Sequence, residues 1–219
     1  DLEERSSIAD IFFGKSVLPH STYIQSDNEF ESDVDIMVGH PALLERINTE
    51  FDNASGKIAT EVINRLGEFL HMPEVAQAYD LIVLDTGPSR NPIFRSAVRA
   101  ATHALIPFEP EEKSIQGINA MLQVLQSENF SRSDEDQLNL IGLLPNKVRS
   151  NTRIHKSTLK MLHNELGDTM FPESAYLPQS TAFTERDLKG ISPKSIFQIH
   201  HSIFNSIFCF KSQYIFDFF

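Results

Sequence analysis

Asp85 closes the aliphatic run Leu81-Ile82-Val83-Leu84 in YDLIVLDTGPS, so an apolar strand would deliver one carboxylate to its carboxyl end. In open parallel sheets, ligands sit beyond that end. A lone carboxylate there suits Mg²⁺ held through a water beside phosphates, and it suits equally a cap for the following turn. In that turn Gly87 and Pro88 bend the chain and Ser89 stands near a helix start. Such a loop either senses a terminal phosphate or is an ordinary connection with a serine N-cap. Asn146 ends a second apolar run, LNLIGLLPN. Its amide offers a donor beside an acceptor, the pattern of a purine edge, although asparagine is also a common turn former. Beyond it, Lys147, Arg149, Arg153, Lys156 and Lys160 make one basic patch suited to phosphate backbones, the alternative being a solvated helix face.

Gly14-Lys15-Ser16 repeats the last three letters of the phosphate-binding loop G-x-x-x-x-G-K-[ST]. The surroundings argue against that loop. Its first glycine would fall on Ala9, EERSSIAD is too polar for the buried strand that must precede it, and Pro19 sits where its helix should run. The eight histidines fall at no metal-ligand spacing, and the single cysteine, Cys209, has neither a disulfide partner nor a Cys-rich metal site. No G-x-S-x-G stretch announces a serine hydrolase.

The frame for these residues follows from composition and period. A chain of 219 residues, 41 % hydrophobic and 22 % charged, can bury one sizeable α/β core. A net charge of −11 argues against a surface devoted wholly to nucleic acid and leaves room for a local basic patch. The sequence as read predicts no signal peptide and contains no apolar run of about 18 residues, and the lone cysteine fits the expectation of a reducing cytoplasm. The chain opens on Asp1 rather than Met, so position 1 need not be the native start.

Along the chain, the first 33 residues read as polar and irregular, with a short helix around Ile8 to Phe13. VDIMV (Val34 to Val38) reads as a strand, and PALLERINTEF and GKIATEVINRLGEFL read as amphipathic helices. Leu81 to Leu84 has no alternation, the mark of a strand buried on both faces. A helix from Ile93 to Ala101, the strand HALIPF, a helix from Ser114 to Gln126, an acidic loop from Ser131 to Gln137, the strand LNLIGLLPN, a helix from Thr152 to Leu166 and a last short strand SAYLP complete the alternation. The expected fold is α/β: one doubly wound, mostly parallel sheet with helices on both faces, over residues 1–205. The tail from 206 to 219 stands apart. IFNSIFCFKSQYIFDFF carries six phenylalanines in seventeen residues and shows neither a helical nor a strand period.

YDLIVLDTGPS, ATHALIPFEPEEKSIQGINAML, LNLIGLLPNKV and SAYLPQSTAFTER, in this order and at these spacings, with a closing ISPKSIF, resemble the ParA/MinD family of deviant P-loop ATPases, and its partition branch most. The resemblance covers about residues 1 to 205. It implies that Asp85 is the Walker B aspartate supporting Mg²⁺, that Thr86, Pro88 and Ser89 belong to the switch segment, with Gly87 where the family usually has proline, that Asn146 contacts adenine, and that Pro178 lies in the segment packed against the base. DLEERSSIADIF resembles the stretch D-x-D-P-Q, which would make Asp1 the catalytic carboxylate near the attacking water; Glu3, Glu4 and Arg5 depart from that pattern.

In that family the phosphate loop K-G-G-x-G-K-[ST]-T precedes this stretch, so the resemblance places it before residue 1. The expectation is a chain lacking its first strand and phosphate loop, without appreciable ATP hydrolysis on its own, and with a neighbouring strand left open. The resemblance further implies ATP and Mg²⁺ as cofactors of the intact protein, a homodimer formed on ATP binding, non-specific DNA held by Lys147, Arg149, Arg153, Lys156 and Lys160, a centromere-binding partner, and a cytoplasmic, nucleoid-associated life. Two alternatives stand beside it. A MinD-like positioning ATPase would need a basic amphipathic C-terminal helix, which FCFKSQYIFDFF is not; an altered C-terminus accounts for that tail better than membrane contact. A non-enzymatic interaction module would keep the fold without the catalysis.

Overall fold

Pro41 begins α2 (Pro41–Phe51), and Leu44 and Ile47, one turn apart, are its buried face. This helix belongs to a computed structural model that describes residues 6–18, 20–23, 33–51, 56–87, 90–179 and 213–216. They fall into two compact units, one from residues 1–101 with 210–219, the other from 102–209.

In the first unit, α1 (Ala9–Phe12) is followed by β1 (His20–Tyr23), β2 (Asp33–Met37), α2, α3 (Gly56–Leu70), α4 (Pro73–Ala76), β3 (Ile82–Leu84) and α5 (Pro92–Ala100). Its core joins Ile8, Phe12, Met37, Leu44, Ile47, Val62, Leu66, Ile93 and Ala97. Each large side chain fully buried there stabilises the fold by about 1.5–3 kcal/mol. Between α3 and α5 the Ser96 hydroxyl, itself fully buried, donates to the carbonyl of Ile63 at 2.7 Å, so this polar group is satisfied inside the helix contact. Arg65 reaches from α3 to the carbonyl of Phe12.

The strands of this unit run in the order β1-β2-β6-β3, where β6 is Gln213–Phe216. β1 pairs antiparallel with β2, while β6 is parallel to both β2 and β3. Two of these strands lie in stretches the sequence reads otherwise: β1 in the irregular start, β6 in the tail without a period. Four residues are too few to display alternation, and an inner parallel strand has no need of it. β3 departs in the other direction. Ile82 and Leu84 pack on the core, while Val83, on the other face, is 39 % exposed, so the strand is not buried equally on both faces among the described residues.

The second unit contains β4 (His103–Phe108), α6 (Glu112–Asn129), a 3₁₀ turn (Asp134–Asp136), β5 (Asn139–Pro145), α7 (Arg153–Leu166) and a 3₁₀ turn (Gly167–Thr169). β4 and β5 pair in parallel from His103↔Asn139 to Phe108↔Pro145, with an irregularity that leaves Ile141 opposite no residue. Gly142, at φ +153°, takes the strained backbone of this bulge, a conformation glycine tolerates. The connection from α6 to β5 is closed by Asn129, whose amide accepts from Leu138 N at 2.8 Å and donates to Leu138 O at 3.1 Å. SAYLP is not a ladder strand; it makes the single parallel bridge Val148↔Pro178. Mostly parallel strands alternating with helices make this the α/β class expected from the sequence. Among the described residues no helix is long and apolar enough to cross a membrane.

Candidate functional site

Asp85 follows β3 directly and is exposed at its carboxyl end, the position a Mg²⁺-supporting carboxylate requires. Thr86 and Gly87, next in line, are half-buried; Pro88 and Ser89 lie outside the described residues. The cap of the following helix is Asn91 rather than Ser89. Its Oδ1 accepts from Phe94 N at 2.9 Å, and Pro92 takes the first helical position. Asp1 also lies outside the described residues.

In the second unit the carboxyl end of β5 is built more fully. Asn146 is half-buried, and its backbone N–H donates to Phe108 O at 2.7 Å, tying it to the end of β4. Its Oδ1 accepts from Lys147 N at 2.8 Å, which helps hold Lys147 in a left-handed conformation at φ 49°. The carbonyl oxygen keeps a second lone pair, and no hydrogen bond is formed by the amide nitrogen among the described residues. That leaves a donor and an acceptor side by side, the pair needed to read the N6 and ring-nitrogen edge of adenine.

Pro178 is brought beside this strand end. Leu177 N donates to Pro145 O at 2.9 Å, Val148 N to Leu177 O at 3.0 Å and Gln179 N to Val148 O at 3.0 Å. Pro178 has no N–H, so the ladder runs through its neighbours. Arg149 fastens the same corner: its Nε donates to the Gln179 side chain, and its backbone N donates to His155 Nδ1 at 3.0 Å. His155 is buried on the inner face of α7, and accepting at Nδ1 leaves the ring proton on Nε2.

The basic patch divides in two. Lys147 is committed to Glu109, Nζ to Oε1 at 2.5 Å, and Arg149 to Gln179. Arg153, Lys156 and Lys160 are exposed, at helical spacing on α7, and none pairs with a carboxylate among the described residues. Arg149, whose partner is a neutral amide, keeps its charge but is tied to the loop, while among the described residues these three have neither a carboxylate nor an amide partner. The sequence reading assigned no role to Glu109, which follows the apolar run HALIPF as Asp85 follows LIVL; the same strand-end rule would have found it.

Gly14-Lys15-Ser16 closes a helix instead of opening one. Gly14, at φ +71°, ends α1, and Lys15 turns back to pair with Asp10 at 3.1 Å. A shallow depression of about 520 Å³, lined by Ile141, His163, Asp168 and Phe171 among others, touches none of the candidate residues.

The family described as AAA domain matches residues 3–139. Protein IncC of Escherichia coli is 30 % identical over 109 residues, covering 50 % of this chain and 27 % of IncC. The chromosome-partitioning ATPase Soj of Thermus thermophilus is 25 % identical over 111 residues, covering 49 % of this chain and 44 % of Soj. The chain thus spans between about a quarter and just under half the length of these relatives. Apo McdA from Cyanothece superposes with a TM-score of 0.68 at 14 % identity, over 91 % of this chain and 74 % of McdA, and a McdA variant solved as its ATP complex reaches the same score. At that identity the superposition speaks for the fold.

Proposed function

The chain belongs to the AAA-domain family, with the fold of ParA/MinD-type P-loop ATPases, and from that premise we propose that it serves in ATP-dependent DNA partition. In this reading the adenine ring lies against the corner formed by Asn146 and Pro178. Mg²⁺ is held at Asp85, whose single exposed carboxylate at a strand end suits a cation that keeps most of its waters and takes its remaining ligands from phosphate. When bound, the ion neutralises charge on the phosphates; the chain's own part is to position base and carboxylate. A homodimer forms on the nucleotide, α7 holds DNA without sequence preference through Arg153, Lys156 and Lys160, and a centromere-binding protein is the partner. The relatives IncC and Soj and the ATP complex of McdA support this reading.

One observation carries it: an asparagine amide that, among the described residues, keeps an open donor and an acceptor lone pair, on a strand end held by backbone hydrogen bonds beside the proline segment. Equilibrium binding of a fluorescent ATP analogue to the chain, with and without Mg²⁺, tests it. Saturable binding displaced by ATP and not by a pyrimidine nucleotide is expected. No binding, or equal displacement by both, overturns the reading.

A further inference from the structure

The strand β6 completes a sheet to which it is not locally connected. It lies between β2 and β3, and every residue of it finds a partner in β2: Val34↔Gln213, Asp35↔Tyr214, Ile36↔Ile215 and Met37↔Phe216. On its other side Tyr214, Ile215 and Phe216 pair with Ile82, Val83 and Leu84. Among the described residues, hydrogen-bonded continuity between the β1–β2 pair and β3 therefore runs through residues 213–216. Remove them and two strand edges open at once, each a template for another strand.

In chain order, residues 85–212 separate β3 from β6, and most of them fold as the other compact unit. The strand is thus returned to its slot by a long-range closure rather than by a hairpin or a local crossover. The entropy of such a closure grows slowly with the length closed, but the effective concentration it supplies is finite, on the order of millimolar for short flexible tethers and lower for long ones. An identical segment on another molecule meets the same register and the same backbone donors and acceptors. Three of the four residues, Tyr214, Ile215 and Phe216, belong to the strand-forming types, so the segment carries this preference to any acceptor.

We propose that the gap between β2 and β3 is a strand-acceptor site, and that residues 213–216 of a second copy of this chain enter it in place of the cis strand to give a strand-exchanged dimer. The association uses main-chain hydrogen bonds of the first unit and needs no nucleotide, which separates it from a dimer formed on ATP. When two copies exchange strands reciprocally, each gives one and receives one, and the arrangement closes at two.

The test is light scattering with size-exclusion chromatography on the full chain without nucleotide, over a wide range of protein concentration. A synthetic peptide of residues 211–218 serves as competitor. The expected result is a dimer whose fraction rises with concentration and falls when peptide is added, with the labelled peptide bound at one per chain. Ile215→Pro removes a ladder donor from the inner strand and should weaken dimerisation roughly tenfold or more. A chain that stays monomeric and binds no peptide overturns the proposal. So does a dimer indifferent to excess peptide, which would have formed elsewhere. If Ile215→Pro fails to fold, the competition on the unaltered chain still decides.

Discussion

Val148 and Pro178 form a parallel bridge across the carboxyl end of β5, so the strand end that carries Asn146 and the segment that carries Pro178 move as one piece. The amide that is to read a base is therefore placed by backbone geometry rather than by a mobile loop. Asn146→Ala removes the reading pair and leaves the Val148–Pro178 ladder intact. It should weaken binding of the ATP analogue by about 1–3 kcal/mol, roughly 5- to 150-fold, and erase the preference for purine over pyrimidine. Unchanged circular dichroism with lost preference is the expected pair of readings.

His155 supports the same corner from below. It is buried, and its Nδ1 satisfies the backbone N–H of Arg149. His155→Leu keeps the apolar contact and removes the acceptor, so the fold should lose about 1–3 kcal/mol. Hydrogen exchange should rise first at Arg149 and spread to the Leu177–Gln179 ladder, while α6 stays protected. A uniform rise across the unit would mean that His155 matters as core volume, not as an acceptor.

The division of the basic patch has a direct consequence for DNA. Arg153, Lys156 and Lys160 are exposed and without a carboxylate partner among the described residues, whereas Lys147 is held by Glu109 at 2.5 Å. Replacing all three α7 cations by alanine should reduce the salt slope of DNA binding by about 2–3, since each phosphate contact contributes about 0.9. Lys147→Ala should change the slope little. The measurement is the affinity for a duplex of arbitrary sequence at several salt concentrations, and equal effects from the two variants would contradict the division.

Gly142 and Phe171 set a packing limit in the second unit. A Cβ at position 142 would stand 2.9 Å from the Phe171 ring, and φ +153° already disfavours a side chain there. Gly142→Ala should cost about 1–3 kcal/mol by thermal or urea unfolding. Phe171→Leu in the same chain should return part of that loss by clearing the ring, without relieving the backbone. Full recovery would assign the whole cost to the ring.

What the sequence made legible follows from which forces are local. The bounds of α2 and α3 coincide with PALLERINTEF and GKIATEVINRLGEFL, because apolar residues at helical spacing bury Leu44, Ile47, Val62 and Leu66 along one face. Asp85 and Asn146 stood out as single polar residues ending apolar runs. β1 and β6 did not, because a four-residue strand shows no period and its partners are distant in the chain. The contacts Lys147–Glu109 and Arg149–Gln179 were hidden for the same reason: they join loops 38 and 30 residues apart, and no local spacing announces them.

Tyr79, just before β3, gives the fold a pH dependence of definite sign. Burial, then the negative charge of Asp35 on β2, then the hydrogen bond that the Asp35 carboxylate accepts from the phenol, raise its pKa above the ordinary 10.0. A group whose pKa is raised on folding gives stability that is complete below the unfolded value and is lost as pH climbs through the folded one. Below about pH 10 both states keep the proton and the bond to Asp35 counts in full. Above that, the unfolded chain ionises first and pulls the equilibrium towards itself. Tyr79→Phe removes the bond at every pH, so near neutrality it should cost about 0.5–1.5 kcal/mol. It should also flatten this residue's share of the alkaline decline, so the gap between the parent and the variant narrows as pH rises above 10. Urea unfolding at pH 7, 9 and 10.5 measures that gap directly, and a gap that widens with pH would mean that Tyr79 is not held in its protonated form by Asp35.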